Sequence, residues 1–193
     1  MSWKAGGSSV ETYVRAGDTI YSQMDKINSE VFTMTYGAMV TQLIKDYKDV
    51  QVVNAELEKM GYNIGVRLVE EFLAKSNTQS CANFKETAHV ISKVAFKMFL
   101  GIAADAVKWS DDGKEFSLVF KGNPLHDFVQ LPAQYADLKY SNILCGVIRG
   151  ALNMVRLSVE CDYVKSELTG GKESEIRVTL KETLQEVYQD DDE

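Results

Sequence analysis

The chain has 193 residues and a formal net charge of -7, with hydrophobic residues at 45% and charged residues at 25%. That is enough chain for one domain with a sizeable core, and the acidic balance argues against a nucleic-acid footprint. Its cysteines, Cys81, Cys145 and Cys161, are spaced for neither a disulfide framework nor a zinc motif and fit a reducing compartment.

Residues 1–27 carry Gly6, Gly7, Ser8, Ser9 and Gly17 with little periodicity. They predict a flexible arm with at most a short helical turn near Tyr21. No apolar run there resembles a signal peptide. A first firm helix starts at Asn28 or Ser29, either of which can cap it. Phe32, Tyr36, Met39, Leu43 and Tyr47 form its apolar stripe, widened by Met34, Ala38 and Val40. A second helix runs from near Asp49 to about Lys75, with Val53, Leu57, Met60, Ile64, Leu68 and Phe72 at helical spacing. Gly61 and Gly65 sit one turn apart inside it, each at about 1 kcal/mol of lost helix propensity. Close approach of another helix would compensate. The stripe and these glycines together predict an interface formed by Met39, Leu43, Gly61 and Gly65.

A third helix follows a polar loop. Asn83 is its predicted N-cap, with Glu86 three residues on. Phe84, Ala88, Ile91, Ala95, Met98 and Ile102 recur at helical spacing and predict one apolar face. Cys81 lies just ahead of this helix, where the dipole favours a thiolate. The residues leave two roles open for it, a reactive thiol or a small buried hydrophobe.

The period then becomes alternating. Val107 and Trp109 precede the turn Ser110-Asp111-Asp112-Gly113, and Phe116, Leu118 and Phe120 mark a strand. Phe128 and Val129 predict a further extended piece, stopped by Pro132. A helix spans about Tyr140 to Arg156, with Gly146 and Gly150 permitting close packing. Its polar interruptions, Arg149, Asn153 and Arg156, make it unfit to span a bilayer. Leu157, Val159, Cys161 and Tyr163 alternate with Ser158, Glu160 and Asp162. Across the turn Thr169-Gly170-Gly171-Lys172, Ile176, Val178 and Leu180 close a hairpin. Residues 28–183 thus read as one α+β domain, helices packed on one face of a small antiparallel sheet, and 184–193 as an acidic tail.

Catalytic patterns are absent. His89 and His126 are the only histidines. His89 lies about two turns, roughly 12 Å of helix rise, past Cys81, too far for direct proton transfer. There is no phosphate-binding glycine loop, no zincin motif and no metal-ligand constellation. The chain is therefore expected to be non-catalytic by itself and to hold no metal.

In the segments VFTMTYGAMVTQLIKDY, MGYNIGVRLVEEFLAKS, FKETAHVISKVAFKMFLGI, EFSLVFKGNPLHDFVQLP and YSNILCGVIRGALNMV the chain resembles the subunit 3 family of the transport protein particle (TRAPP) complex. These are the palmitoylated core subunits of a vesicle-tethering complex. The resemblance implies a twisted antiparallel sheet under helices and an internal hydrophobic channel. In that channel a palmitate would be carried as a thioester on Cys81, with Ala88, Ile91 and Ala95 lining it. It implies a homodimer or heterodimer with other TRAPP subunits through the first two helices. The assembled complex would act in ER-to-Golgi transport as guanine nucleotide exchange factor for a Rab GTPase, in the cytoplasm and peripherally on cis-Golgi and endoplasmic reticulum membranes. The tail, with Tyr188 and Asp190, would contact the Rab. Members of the family often have Arg directly before the acylated cysteine, where this chain has Ser80. A lipid-binding or small-molecule sensor domain on the same fold is the second reading.

Overall fold

The computed structural model describes residues 10–76, 78 and 81–184. Ser80, Tyr188 and Asp190 lie outside the described residues. Helix α1 (Val10–Gln23) is followed by α2 (Ser29–Tyr47) and α3 (Val50–Ser76). A longer helical stretch comes next: α4 (Phe84–His89), a π-helical segment (Val90–Ala95) and α5 (Phe96–Leu100). Then come strands β1 (Asp105–Val107) and β2 (Glu115–Phe120), helix α6 (Ile143–Met154), and strands β3 (Leu157–Lys165) and β4 (Ser174–Thr183).

The strands form one antiparallel sheet in the order β1-β2-β4-β3. Register explains its two faces. Leu118 faces Ile176, which faces Tyr163; Phe116 faces Val178, which faces Cys161. These rows point to the helices, and Phe116, Leu118, Ile176 and Val178 have no exposed surface. The intervening rows carry Ser117, Arg177 and Asp162, then Glu115, Thr179 and Glu160. Ion pairs Arg177–Glu115 at 3.6 Å and Lys181–Glu160 at 2.6 Å lace that outer face. The fold is α+β with the helices on the apolar face of the sheet.

Local signals account for the helix ends. The Asn28 side chain accepts from the N–H groups of Glu30 and Val31, starting α2. Lys48 ends it in the left-handed region at φ 58. The Asn83 side chain accepts from the Glu86 N–H at 2.9 Å. Between Phe120 and Tyr140 the structure has short 3-10 turns, Pro124–His126 and Ala133–Tyr135, where the sequence predicted an extended piece at Phe128. Phe128 instead adopts a left-handed φ of 62 and stands exposed.

Two expectations are corrected. The reading of residues 1–27 as a flexible arm fails for residues 10–23, which form α1 with Tyr13 and Gly17 buried. Gly17 looked like a source of flexibility, but it is a contact. A Cβ there would stand 2.2 Å from the Lys93 carbonyl oxygen, so only glycine lets α1 lie on the π-helical segment. Gly61 and Gly65, expected at a dimer interface, pack instead against α6 of the same chain. A Cβ on Gly61 would meet the Ile143 carbonyl oxygen at 2.0 Å, and one on Gly65 the Val147 oxygen at 2.2 Å. Gly146 and Gly150 return the contact against Glu58 and Tyr62.

Candidate functional site

The helical stretch from Phe84 to Leu100 stands between two apolar cores. On one side lies the main core, built on α2, α3, α6 and the sheet, to which Ala88 and Phe96 belong and against which Phe84 and Ile91 pack. On the other lies a smaller core of Tyr13, Phe72, Val90, Val94 and Met98. Ala95 and Cys81 pack against this second core, with Ala16, Ile20 and Met24.

The single apolar face expected from sequence is therefore split. Ala88 and Ile91 serve the main core, Ala95 and Met98 the second. The cause is the π-helical segment. The Phe96 N–H bonds to the Ile91 carbonyl, five residues back, so each turn there holds more residues than an α-turn. Residues after it leave the face that a regular period assigns them. The Ser92 carbonyl accepts the N–H of Ala104 at 2.9 Å, which ties this wide turn to the start of the sheet.

Cys81 differs from the other cysteines. Cys145 has no exposed surface in the main core, and Cys161 packs against the same core. Burial pushes both thiols well up. Cys81 is half-buried at the edge of the second core. The expectation of a depressed thiol pKa is also corrected. Burial pushes the Cys81 thiol up, a hydrogen bond with Thr87 opposes this, and the Glu86 carboxylate raises it further. Glu86 sits there because it caps the helix, accepting the Ala82 N–H at 2.8 Å. Its charge and the apolar surroundings outweigh the short α4 dipole.

Among the described residues neither histidine is placed as a base for the thiol. His89 stacks on Tyr13 with ring centroids 5.7 Å apart, and its pKa is lowered by burial and by Lys85 and Lys93. His126 is far along the fold, its Nε2 2.9 Å from the Ser141 hydroxyl and 3.1 Å from the Asn123 amide nitrogen. Among the described residues no group of three or more His, Cys, Asp or Glu is placed to hold a metal. Among them, too, no helix is long and apolar enough to cross a membrane. A surface cavity of about 320 Å³ is lined by Tyr62, Arg149, Asn153, Ser158 and Val159, none of which belongs to the second core.

Met39 and Leu43 are half-buried and pack against the chain's own main core. The exposed apolar residues in the first half of α2 are Val31, Phe32 and Met34, at 64%, 45% and 69% exposure. Sequence reasoning missed Tyr13, Ala16 and Ile20 as part of the second core. The signal was present: Tyr13, Gly17 and Ile20 recur at helical spacing.

The site is thus a half-buried thiol beside an apolar core that a separate helix completes. That arrangement fits covalent attachment of an apolar group better than general acid–base chemistry. The chain is similar to several known proteins. The chain is 56% identical over 176 residues to a trafficking protein particle complex subunit 3 of Dictyostelium discoideum, covering 91% of this chain and 95% of that protein. It is 49% identical over 173 residues to the transport protein particle subunit bet3 of Schizosaccharomyces pombe, covering 89% and 94% of the two. A crystal structure of a trafficking protein particle complex subunit 3 from Naegleria fowleri, covalently bound to palmitic acid, is similar at a TM-score of 0.81 and 57% identity. The match covers 84% of this chain and 100% of that one. The family model described as transport protein particle (TRAPP) component matches residues 32–179, and the chain belongs to that family.

Proposed function

We propose that this chain is a core subunit of a TRAPP vesicle-tethering complex in ER-to-Golgi transport, and that it carries a palmitoyl group as a thioester on Cys81. The observation that carries the reading is the position of Cys81. Of the three cysteines it alone lies at the second core, while Cys145 is buried in the main core and Cys161, also half-buried, packs against the main core. The covalent palmitic acid of the Naegleria protein supports the same chemistry. Burying an acyl chain contributes about 0.8 kcal/mol per CH₂, so a sequestered chain acts as part of the core and leaves no anchor for a membrane. Ala95 stands beside the second core and leaves room for such a chain. Ala88 and Ile91 back it from the main core.

Pairing with other TRAPP subunits follows from the family. The exposed residues Val31, Phe32 and Met34 of α2 give that pairing an apolar surface, to which Met39 and Leu43 contribute from below. In the assembled complex the chain contributes to guanine nucleotide exchange on a Rab GTPase at cis-Golgi and endoplasmic reticulum membranes, with Tyr188 and Asp190 of the tail contacting the Rab. Intact mass before and after hydroxylamine tests the lipid. A fatty-acid-sized mass that hydroxylamine removes, and that is missing in Cys81→Ser, supports the reading. An unmodified wild-type chain, or a modified Cys81→Ser chain, refutes it.

A further inference from the structure

Helix α1 completes the core beside Cys81. It supplies Tyr13, 1% exposed, and packs Ala16 and Ile20 onto Phe72, Val90, Val94 and Met98. Its fit depends on one close approach, Gly17 against the Lys93 carbonyl. Tyr13 stacks on His89, and two further ties lie at the surface: Asp18 to Lys97 at 3.3 Å, with the carboxylate 59% exposed, and Tyr21 under the Lys97 and Lys26 ammonium groups. Non-helical residues after Gln23 join it to α2. A helix of 14 residues is marginal once off its support, so its docking is an equilibrium separate from unfolding of the rest.

We propose that α1 is a hinged wall of the acyl site: docked, it seals the second core around Cys81, and undocked, it admits a long-chain acyl thioester to the thiol. The inference rests on the acyl reading given above. The bond changes balance without an oxidant. Cys81 loses its proton, and its sulfur attacks the donor's carbonyl carbon. A C–S bond to Cys81 forms as the donor's C–S bond breaks, and the donor leaves as a thiol after taking up a proton. With α1 docked, burial holds the Cys81 proton on and Tyr13 closes one side of the second core. Undocking removes both obstacles. Redocking over the acyl chain then shields the new thioester from water.

The test uses the full-length chain freed of lipid by hydroxylamine, with Gly17→Ala as the undocking variant. Two rates are measured, reaction of the Cys81 thiol with Ellman's reagent and gain of mass from palmitoyl-coenzyme A. Loss of the signal in Cys81→Ser identifies the thiol. Both rates are expected to rise by about tenfold. Hydrogen exchange on the wild-type chain needs no variant. The α1 amides should exchange about tenfold faster than those of α3 or α6, and acylation should slow them. Thiol and acylation rates unchanged by Gly17→Ala, or α1 amides as protected as those of α3, overturn the gate and leave the acyl reading intact. A thiol rate that rises in Gly17→Ala while neither chain gains mass supports the hinged wall and refutes the acyl reading.

Discussion

Gly146 faces Glu58 so closely that a Cβ added to the glycine would stand 1.9 Å from the Glu58 carbonyl oxygen. Helices α3 and α6 therefore touch backbone to backbone, and four glycines, Gly61, Gly65, Gly146 and Gly150, make that possible. Polar side chains lock the crossing. Asn142 donates to the Asn54 carbonyl at 2.8 Å, and Asn153 to the Tyr62 hydroxyl at 2.8 Å.

Gly146→Ala should accordingly separate the two helices. The expected loss is about 3 kcal/mol or more, which is a fall in Tm of roughly 6–12 °C at about 2–4 °C per kcal/mol. Combining it with Gly61→Ala should add less than the sum, because both act on one contact. Thermal melts check this. A Tm unchanged in Gly146→Ala would mean that the crossing is looser than described.

A second expectation separates surface from core on α2. Met34→Asp should turn a self-associated chain into a monomer with little change in Tm, because Met34 is 69% exposed. Met39→Asp should lower stability by about 1–3 kcal/mol, because Met39 packs against the main core. Light scattering after gel filtration, beside a thermal melt, reads both. A Met34→Asp chain that stays associated removes this face of α2 from the interface.

The third concerns acid. Burial lowers the pKa of His126, although Glu167 and Asp127 oppose it. The unfolded chain takes up a proton near the ordinary imidazole value of about 6.5, and the folded chain only at lower pH. The unfolded state thus binds more protons in that interval, and stability falls as pH drops below about 6.5. His89 adds to the fall in the same direction, its pKa lowered by burial and then by Lys85 and Lys93. Glu175 acts further down. Burial would raise its pKa, but hydrogen bonds from Lys108 at 2.6 Å and Ser117 at 2.8 Å outweigh that and hold it low. Its contribution is present above the unfolded carboxylate value of about 4.3 and is lost as pH falls through the folded value. Urea midpoints across pH 7 to 5 should decline, and His126→Gln should flatten the slope. An unchanged slope in that variant would assign the decline to another group.

A fourth expectation concerns the cap ahead of the wide turn. Asn83→Ala should lower stability by about 1 kcal/mol, since Asn83 accepts the Glu86 N–H at 2.9 Å. A denaturant midpoint unchanged in that variant would show that Glu86 and the Ala82 N–H hold the helix start without it.

Much of this architecture could be read from residues. Asn28 and Asn83 cap the helices they were expected to cap, because a short side-chain oxygen satisfies N–H groups within its own turn. The alternations around Leu118, Tyr163 and Ile176 gave strands, because the sheet buries one face. Gly61 and Gly65 signalled a close helix, but their partner needed the match with Gly146 and Gly150 at equal spacing, a tertiary relation. Gly17 misled for a related reason: loss of propensity and permission for contact look alike in sequence. The face from Ala88 to Met98 was drawn with one period, and nothing local announces where the helix widens. Cys81 was legible as the cysteine just ahead of a capped helix, but its raised pKa was not, since that depends on burial at the second core and on the Glu86 charge.

The wide turn at Val90–Ala95 also constrains how this chain can vary. The extra residue is absorbed inside the turn, so removing one there would let the helix close to ordinary pitch with the residues after it still on their present faces. Met98 would still meet Tyr13 and Phe72, and Phe96 would still meet Phe120, whose ring stands 5.2 Å away. A one-residue change inside the regular helix α3 would instead rotate everything after it by about 100°. Among natural variants, single-residue changes of length in this part of the chain should therefore fall at the wide turn and spare the regular helices.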